Sequence, residues 1–150
     1  NETVDEKKFA KFCLKDNMDN LQSSHWAPQL IHREMWDKVG GFSEEFNPGD
    51  GSDPDFCMKL WIQNVRVFKG ISKFKVYHFS SITTRKKSDL IQNKGDKTFL
   101  KKWGITTKFF KKYYLKSRTK FDGPLSNPKK SLLYYFELIL CKIKFIRLLI

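Results

Sequence analysis

HREMWDKVGGFSEEFNPGDGSDPDFCMKLWIQN, residues 32–64, carries the clearest local punctuation in this 150-residue chain. Residues 32–39 read as a short helix, and Val39-Gly40-Gly41 stops it, because glycine closes a helix in the left-handed conformation without a Cβ penalty. Phe42 to Ser52 reads as a loop in which Pro48, Gly49 and Gly51 permit a sharp turn or a close approach of backbone to a ligand. Asp53-Pro54-Asp55 then opens a second helix, with Asp53 as N-cap, Pro54 at the first helical position and Asp55 facing the positive end of the helix dipole. Phe56, Leu60 and Asn64 share one face of that helix, and Asn64 suits the left-handed position at its end.

Outward from this stretch the pattern changes twice. Downstream, Val65–Lys69 and Lys73–Phe79 read as strands; in the second, Phe74, Val76 and His78 point one way while Lys75, Tyr77 and Phe79 point the other. Upstream, Ala27-Pro28 makes His25 and Trp26 the start of an extended piece, since the residue before proline avoids helical angles. Residues 16–24 are a polar connection, and Thr3-Val-Asp-Glu6 reads as a capping box for a helix over residues 4–16 with Phe9, Phe12 and Cys13 on one stripe. After Thr84 the chain turns to Lys-rich helices with interleaved aromatics, then a turn-rich connector from Phe121 to Lys130, then an apolar segment, residues 131–150.

Hydrophobic content of 40% and aromatic content of 15% exclude a disordered tail. The net charge of +13 is unevenly placed: residues 1–83 hold 11 basic and 12 acidic residues (net −1), and residues 84–150 hold 18 and 4 (net +14). Three separated cysteines, Cys13, Cys57 and Cys141, favour a reducing compartment over a disulfide framework. The segment 131–150 carries Glu137, Lys142, Lys144 and Arg147, which argues against a membrane crossing. Lys101, Lys102, Lys108, Lys111, Lys112 and Lys116 interleave with Phe109, Phe110, Tyr113 and Tyr114, a mixture found in nucleic-acid binders and in helices lying on membranes. No nucleic-acid reader motif is present, so an anionic membrane surface is the expected partner and nucleic acid is not; for any single Lys a solvated helix face is the default.

Taken in order, His32 to Phe46, Gly51 to Phe56, Val76-Tyr77-His78 and Phe99 to Gly104 resemble the C-terminal half of family 2 glycosyltransferases over residues 24–104. The resemblance implies an α/β architecture, a partial GT-A fold on the acceptor side (residues 1–104); composition adds a basic, aromatic helical extension (residues 105–150) associated with the membrane. It implies an inverting enzyme of polysaccharide biosynthesis that moves a sugar from a nucleotide-sugar donor to a glycan or lipid-linked acceptor, with a divalent cation, Mg or Mn. Position by position, Asp53 matches the general base of the family's acidic pair. Ser52 stands where a second acid is usual, which leaves the role open between Asp53 and Asp55. By the residues alone, Asp53 is equally a helix cap and Asp55 a dipole partner. Asp53-Pro54-Asp55 as a metal-binding Asp-x-Asp is disfavoured, because a polar loop precedes it where that motif follows a strand.

His78 matches the histidine that completes the metal shell; on its own it reads as a satisfied buried histidine. Arg85 and Lys86 are placed to neutralise the leaving diphosphate, or to begin a solvated basic surface. Trp26 falls where the family lines its acceptor cleft, although a lone Trp is more often core, and His25 and His32 are structural. No Asp-x-Asp follows a strand, so the nucleotide-binding half is expected to be missing, the chain alone to be inactive, and its place to be cytoplasmic at the inner face of the membrane. The competing class is a non-catalytic basic module that binds anionic membrane or nucleic acid.

Overall fold

Six helices and one short antiparallel pair of strands make up the described residues of the computed structural model, which are 5–15, 18–23, 27–76 and 88–150, with side chains described from residue 94 onward in the last stretch. The architecture is mixed α/β and mostly helical. Helix α1 (Glu6–Lys15) lies within the expected range, but its cap is Asp5: the carboxylate accepts from the Lys8 N–H at 3.0 Å, and the Asp5 carbonyl accepts from Phe9 N–H at 2.9 Å. Thr3, expected to cap it, lies outside the described residues.

The strand content departs from expectation in both directions. Strand β1 (Leu21–Gln22) falls inside the expected connection and pairs antiparallel with β2 (Lys69–Gly70), Leu21 opposite Gly70. On its other side Gln22 N–H donates to Thr119 C=O at 2.7 Å, and Phe121 N–H donates to Asn20 C=O at 2.8 Å. Partners this distant in sequence leave no local signal. Of the run Val65–Lys69 only Lys69 is in a strand, and Phe74–Val76 is in none. Phe74 is 76% and Val76 52% exposed, so they do not form the inward face expected of them; Tyr77, His78 and Phe79 lie outside the described residues.

Helix α2 (Arg33–Val39) ends as expected: Gly40 is left-handed, and the Gly40 and Gly41 N–H groups return to the carbonyls of Asp37 and Trp36. Gly41 is itself left-handed, and a Cβ there would lie 2.7 Å from the Trp36 ring, so the pair of glycines lets the chain fold back over its own indole. That ring meets Phe42 edge-on at 5.4 Å and Phe56 at 5.2 Å, which seats α2 on α3 (Ser52–Ile62). The intervening loop holds a short 3-10 turn, Glu44–Phe46, whose Phe46 is buried. Asn64 closes α3 in the left-handed conformation (φ 68°), as its sequence position suggested.

Helices α4 (Ser88–Trp103), α5 (Thr107–Tyr113) and α6 (Leu132–Leu149) complete the core. Thr106 caps α5 by accepting from Phe109 N–H at 3.1 Å, and Ser131 caps α6 by accepting from Tyr134 N–H at 3.2 Å. Helix α5 lies on α3, and α6 lies across α4 and α5. The buried cluster runs from Phe56 and Trp61 on α3 through Phe99 to Phe109, Phe110 and Tyr134, so the expected division at residue 104 coincides with no break in the core. Burying aromatic rings in mutual contact contributes both area and edge geometry; Phe109 and Tyr134 meet at 5.1 Å.

Candidate functional site

The first turn of α3 separates the two aspartates. Gly51, left-handed at φ 84°, is the N-cap, so Asp53 is not the cap its sequence position implied but the second residue of the helix. Asp55, two residues on, points inward and is completely buried. Its Oδ2 accepts from Ser43 Oγ at 2.7 Å, and its Oδ1 accepts from Trp103 Nε1 at 2.8 Å and faces Lys102 Nζ at 3.0 Å. Lys102 also reaches Glu45 Oε1 at 2.6 Å. With both oxygens held by three donors from two elements, Asp55 ties the loop, α3 and α4 together, and its carboxylate has no open side for an acceptor hydroxyl.

Asp53 is half-buried and differently placed. Gln29 Nε2 donates to its Oδ1 at 3.4 Å. Burial raises the proton affinity of its carboxyl; nearby Lys111 on α5 pulls the other way, and Asp50 adds to the rise. Asp50 is raised in the same manner, by burial first and then by Asp96 on α4, against Lys111. Asp50 packs directly on Gly95 of α4, where a Cβ would lie 2.7 Å from the Asp50 carbonyl carbon. Thr107 Oγ1 donates to Asp96 Oδ1 at 2.7 Å. The loop before α3 and helix α5 therefore meet at Asp53, with one cation, Lys111, and one further carboxylate, Asp50, in its field, while Asp96 of α4 acts on Asp50. A carboxyl whose affinity for a proton is raised by partial burial is suited to accept one from a neutral hydroxyl.

This shift has a consequence for stability. Because the folded pKa of Asp53 lies above its ordinary value of 3.8, the contribution it makes is complete below that value and is lost as pH rises through the folded pKa. Asp53→Asn is thus expected to raise the urea midpoint at neutral pH relative to the natural chain, and the gain is expected to vanish as pH falls below the ordinary value of 3.8, where the carboxyl is neutral in both folded and unfolded chains. A variant less stable than the natural chain at neutral pH would mean that the charge is held by favourable partners.

Of the residues singled out in the sequence, Asp53 and Asp55 share the first turn of α3, whereas Trp26, His25, His78, Arg85 and Lys86 lie outside the described residues. Gln29, Asp50, Asp96 and Lys111 were not singled out as site residues, and no local pattern marks them, since Lys111 looks like any other Lys of the basic helices. Those helices also read differently in three dimensions. Phe109 and Phe110 are 2% and 0% exposed, so they are core and not stacking faces. Lys102 is held by Glu45 and Asp55, and Lys112 pairs with Glu137 at 2.5 Å.

Cys57, one turn beyond Asp53, has its thiol pushed up to about 12 by burial, with Asp53 adding and Lys111 opposing, which makes it inert as a nucleophile at neutral pH. No group of three or more His, Cys, Asp or Glu among the described residues could hold a metal ion. A cavity of about 10 Å³ between the Glu45–Asp50 loop and Gly95 has room for about one water molecule and is far too small for a nucleotide sugar. No protein-family model, no curated protein and no solved structure matches the chain.

Proposed function

We propose that this chain is the acceptor-side part of an inverting glycosyltransferase of the GT-A fold, which transfers a sugar from a nucleotide-sugar donor to a glycan or lipid-linked acceptor. The observation that carries the reading is Asp53: a half-buried carboxyl of raised proton affinity at the first turn of α3, within the ordered pattern of residues 32–56. In the step proposed, Asp53 takes the proton of the acceptor hydroxyl as that oxygen bonds to the anomeric carbon, and the nucleoside diphosphate departs from the opposite face with the electron pair of the broken bond. A positioned base of this kind contributes about 10²–10⁴-fold. Asp55 holds the turn that carries Asp53.

The donor half, with its nucleotide site, comes from a separate segment. Arg85 and Lys86 belong to the diphosphate side in this reading, and Trp26 to the acceptor side. A divalent cation is part of the chemistry that the resemblance implies, and His78 is its implied ligand. His78 lies outside the described residues, and the proton transfer is given to Asp53. Of the alternative, a non-catalytic basic module binding anionic membrane or nucleic acid, the nucleic-acid form draws little support from helices whose Phe109 and Phe110 are buried and whose Lys102 and Lys112 are already paired.

The test is transfer of labelled sugar from a panel of nucleotide sugars. The 150-residue chain alone is expected to transfer none and to bind nucleoside diphosphate weakly, while the chain joined to a donor half transfers. Robust transfer by residues 1–150 alone would overturn the assignment of the donor site to another segment. Absence of transfer by the joined protein, with every nucleotide sugar tried, would sink the enzymatic reading.

A further inference from the structure

Helix α6 packs by one side only. Tyr134 and Cys141 are buried and Leu138 packs beside them against the core. On the opposite side Leu132, Phe136, Ile139, Ile143 and Ile146, three and four residues apart, form one stripe in which even the least exposed, Ile143, is 41% open. Leaving such a row of large apolar side chains in water is unfavourable, and contiguous apolar patches on a surface mark contact sites.

Charge says what covers it. At 100° per residue Lys142 borders one edge of the stripe, and Lys144 and Arg147 border the other. None of these three cations forms an ion pair among the described residues. Exposed Lys129 and Lys130 precede the helix. The helix's single acid, Glu137, is turned to the packed side and held by Lys112. A second copy meeting it face to face would bring the same stripe with the same cationic borders, and α6 itself carries no free acid to receive them. An anionic lipid surface answers both features at once, since acyl chains accept the stripe and headgroups accept the borders. No helix among the described residues is long and apolar enough to cross a membrane, which leaves α6 the in-plane geometry of an interfacial helix.

We infer that the Leu132–Ile146 stripe of α6, bordered by Lys142, Lys144 and Arg147, docks the protein in the plane of an anionic lipid membrane. The inference is independent of the role given to Asp53, because vesicle binding involves no transfer. It also narrows the surface expected from the composition of the basic half: α5 contributes its aromatics to the core, whereas α6 presents cations beside open apolar side chains. Truncating residues 131–150 would remove Tyr134 and Cys141 from the core, so substitutions on the open side are the proper probe.

The experiment is co-sedimentation of the whole chain with vesicles of phosphatidylcholine alone or with a third of phosphatidylglycerol. Each border cation near an anionic leaflet is worth about fivefold, so anionic vesicles are expected to bind at least about tenfold tighter than neutral ones. Part of that binding survives about 1 M salt, where screening shortens to about 3 Å. Ile139→Asp with Ile143→Asp is expected to weaken anionic binding by at least about tenfold and to abolish the salt-resistant part. Lys144→Gln with Arg147→Gln leaves stripe and core whole and is expected to weaken only anionic binding, about 25-fold. Equal binding to both vesicle types would overturn the proposal, as would indifference to both double variants. So would a dimer in sedimentation equilibrium that the aspartate variant dissolves, since the stripe would then be an interface between copies.

Discussion

Asp55→Ala is expected to destabilise the fold by about 3–5 kcal/mol, the usual consequence of removing one partner of a buried ion pair. The carboxylate is 0% exposed and accepts from Ser43 and Trp103 while facing Lys102, so alanine leaves the Trp103 N–H without an acceptor and removes a charge that Lys102 was placed to meet. Lys102 retains Glu45 at 2.6 Å, which keeps the loss from being larger still. At about 2–4 °C per kcal/mol for a chain of this size, the melting temperature should fall by roughly 10 °C. Asp55→Asn preserves shape and one acceptor oxygen, and should cost less, about 1–3 kcal/mol. Urea titration followed by circular dichroism measures both. A loss below about 1 kcal/mol for the alanine variant would show that the three donors find other partners and that Asp55 does not hold the turn.

Asp53→Asn should have the opposite profile. In the protein joined to a donor half, turnover at saturating acceptor is expected to fall about 10²-fold or more while donor affinity stays nearly unchanged, because asparagine fills the same space and cannot take the acceptor's proton. The rise of rate with pH through the Asp53 titration should disappear with the carboxyl. Folding should not suffer, since burial already opposes the charged form at this position. One aspartate whose loss lowers stability and another whose loss lowers turnover, two residues apart, would separate the structural acid from the chemical one. If donor affinity falls instead and turnover at saturation is preserved, Asp53 belongs to the nucleotide side and the general-base assignment fails.

How the two acids divide their roles shows the limit of local reading. In sequence Asp53 and Asp55 are equivalent flanks of Pro54, and helix-start rules favour the first as cap. In the fold a left-handed Gly51 takes the cap, and the helix therefore starts with Ser52. Two residues, about 200° around the helix, then separate the carboxyl that enters the core from the one that does not. Nothing near residue 55 announces that Trp103 and Lys102, the last residues of another helix, supply its donors. Lys111 is the same case: it gains its meaning only because α5 packs on α3 and brings a cation into the field of Asp50 and Asp53.

Sequence by itself determined the features that rest on backbone preference and periodicity. The stop of α2 at Gly40, the left-handed end of α3 at Asn64, the helix α1 within residues 4–16 and the charge of the second half all follow from residues adjacent in the chain. Tertiary structure alone decided what depends on partners far along the chain: the pairing of β1 with β2 and with Thr119–Phe121, the burial of Phe109 and Phe110 beneath a surface that reads as cationic and aromatic, and the open side of α6. The physical reason is the range of the interactions. A glycine's conformation or a turn of helix is fixed within about four residues, whereas burial, ion pairing and strand pairing are fixed by whichever distant segment arrives, and a period of 3.6 marks an apolar face without saying what will cover it.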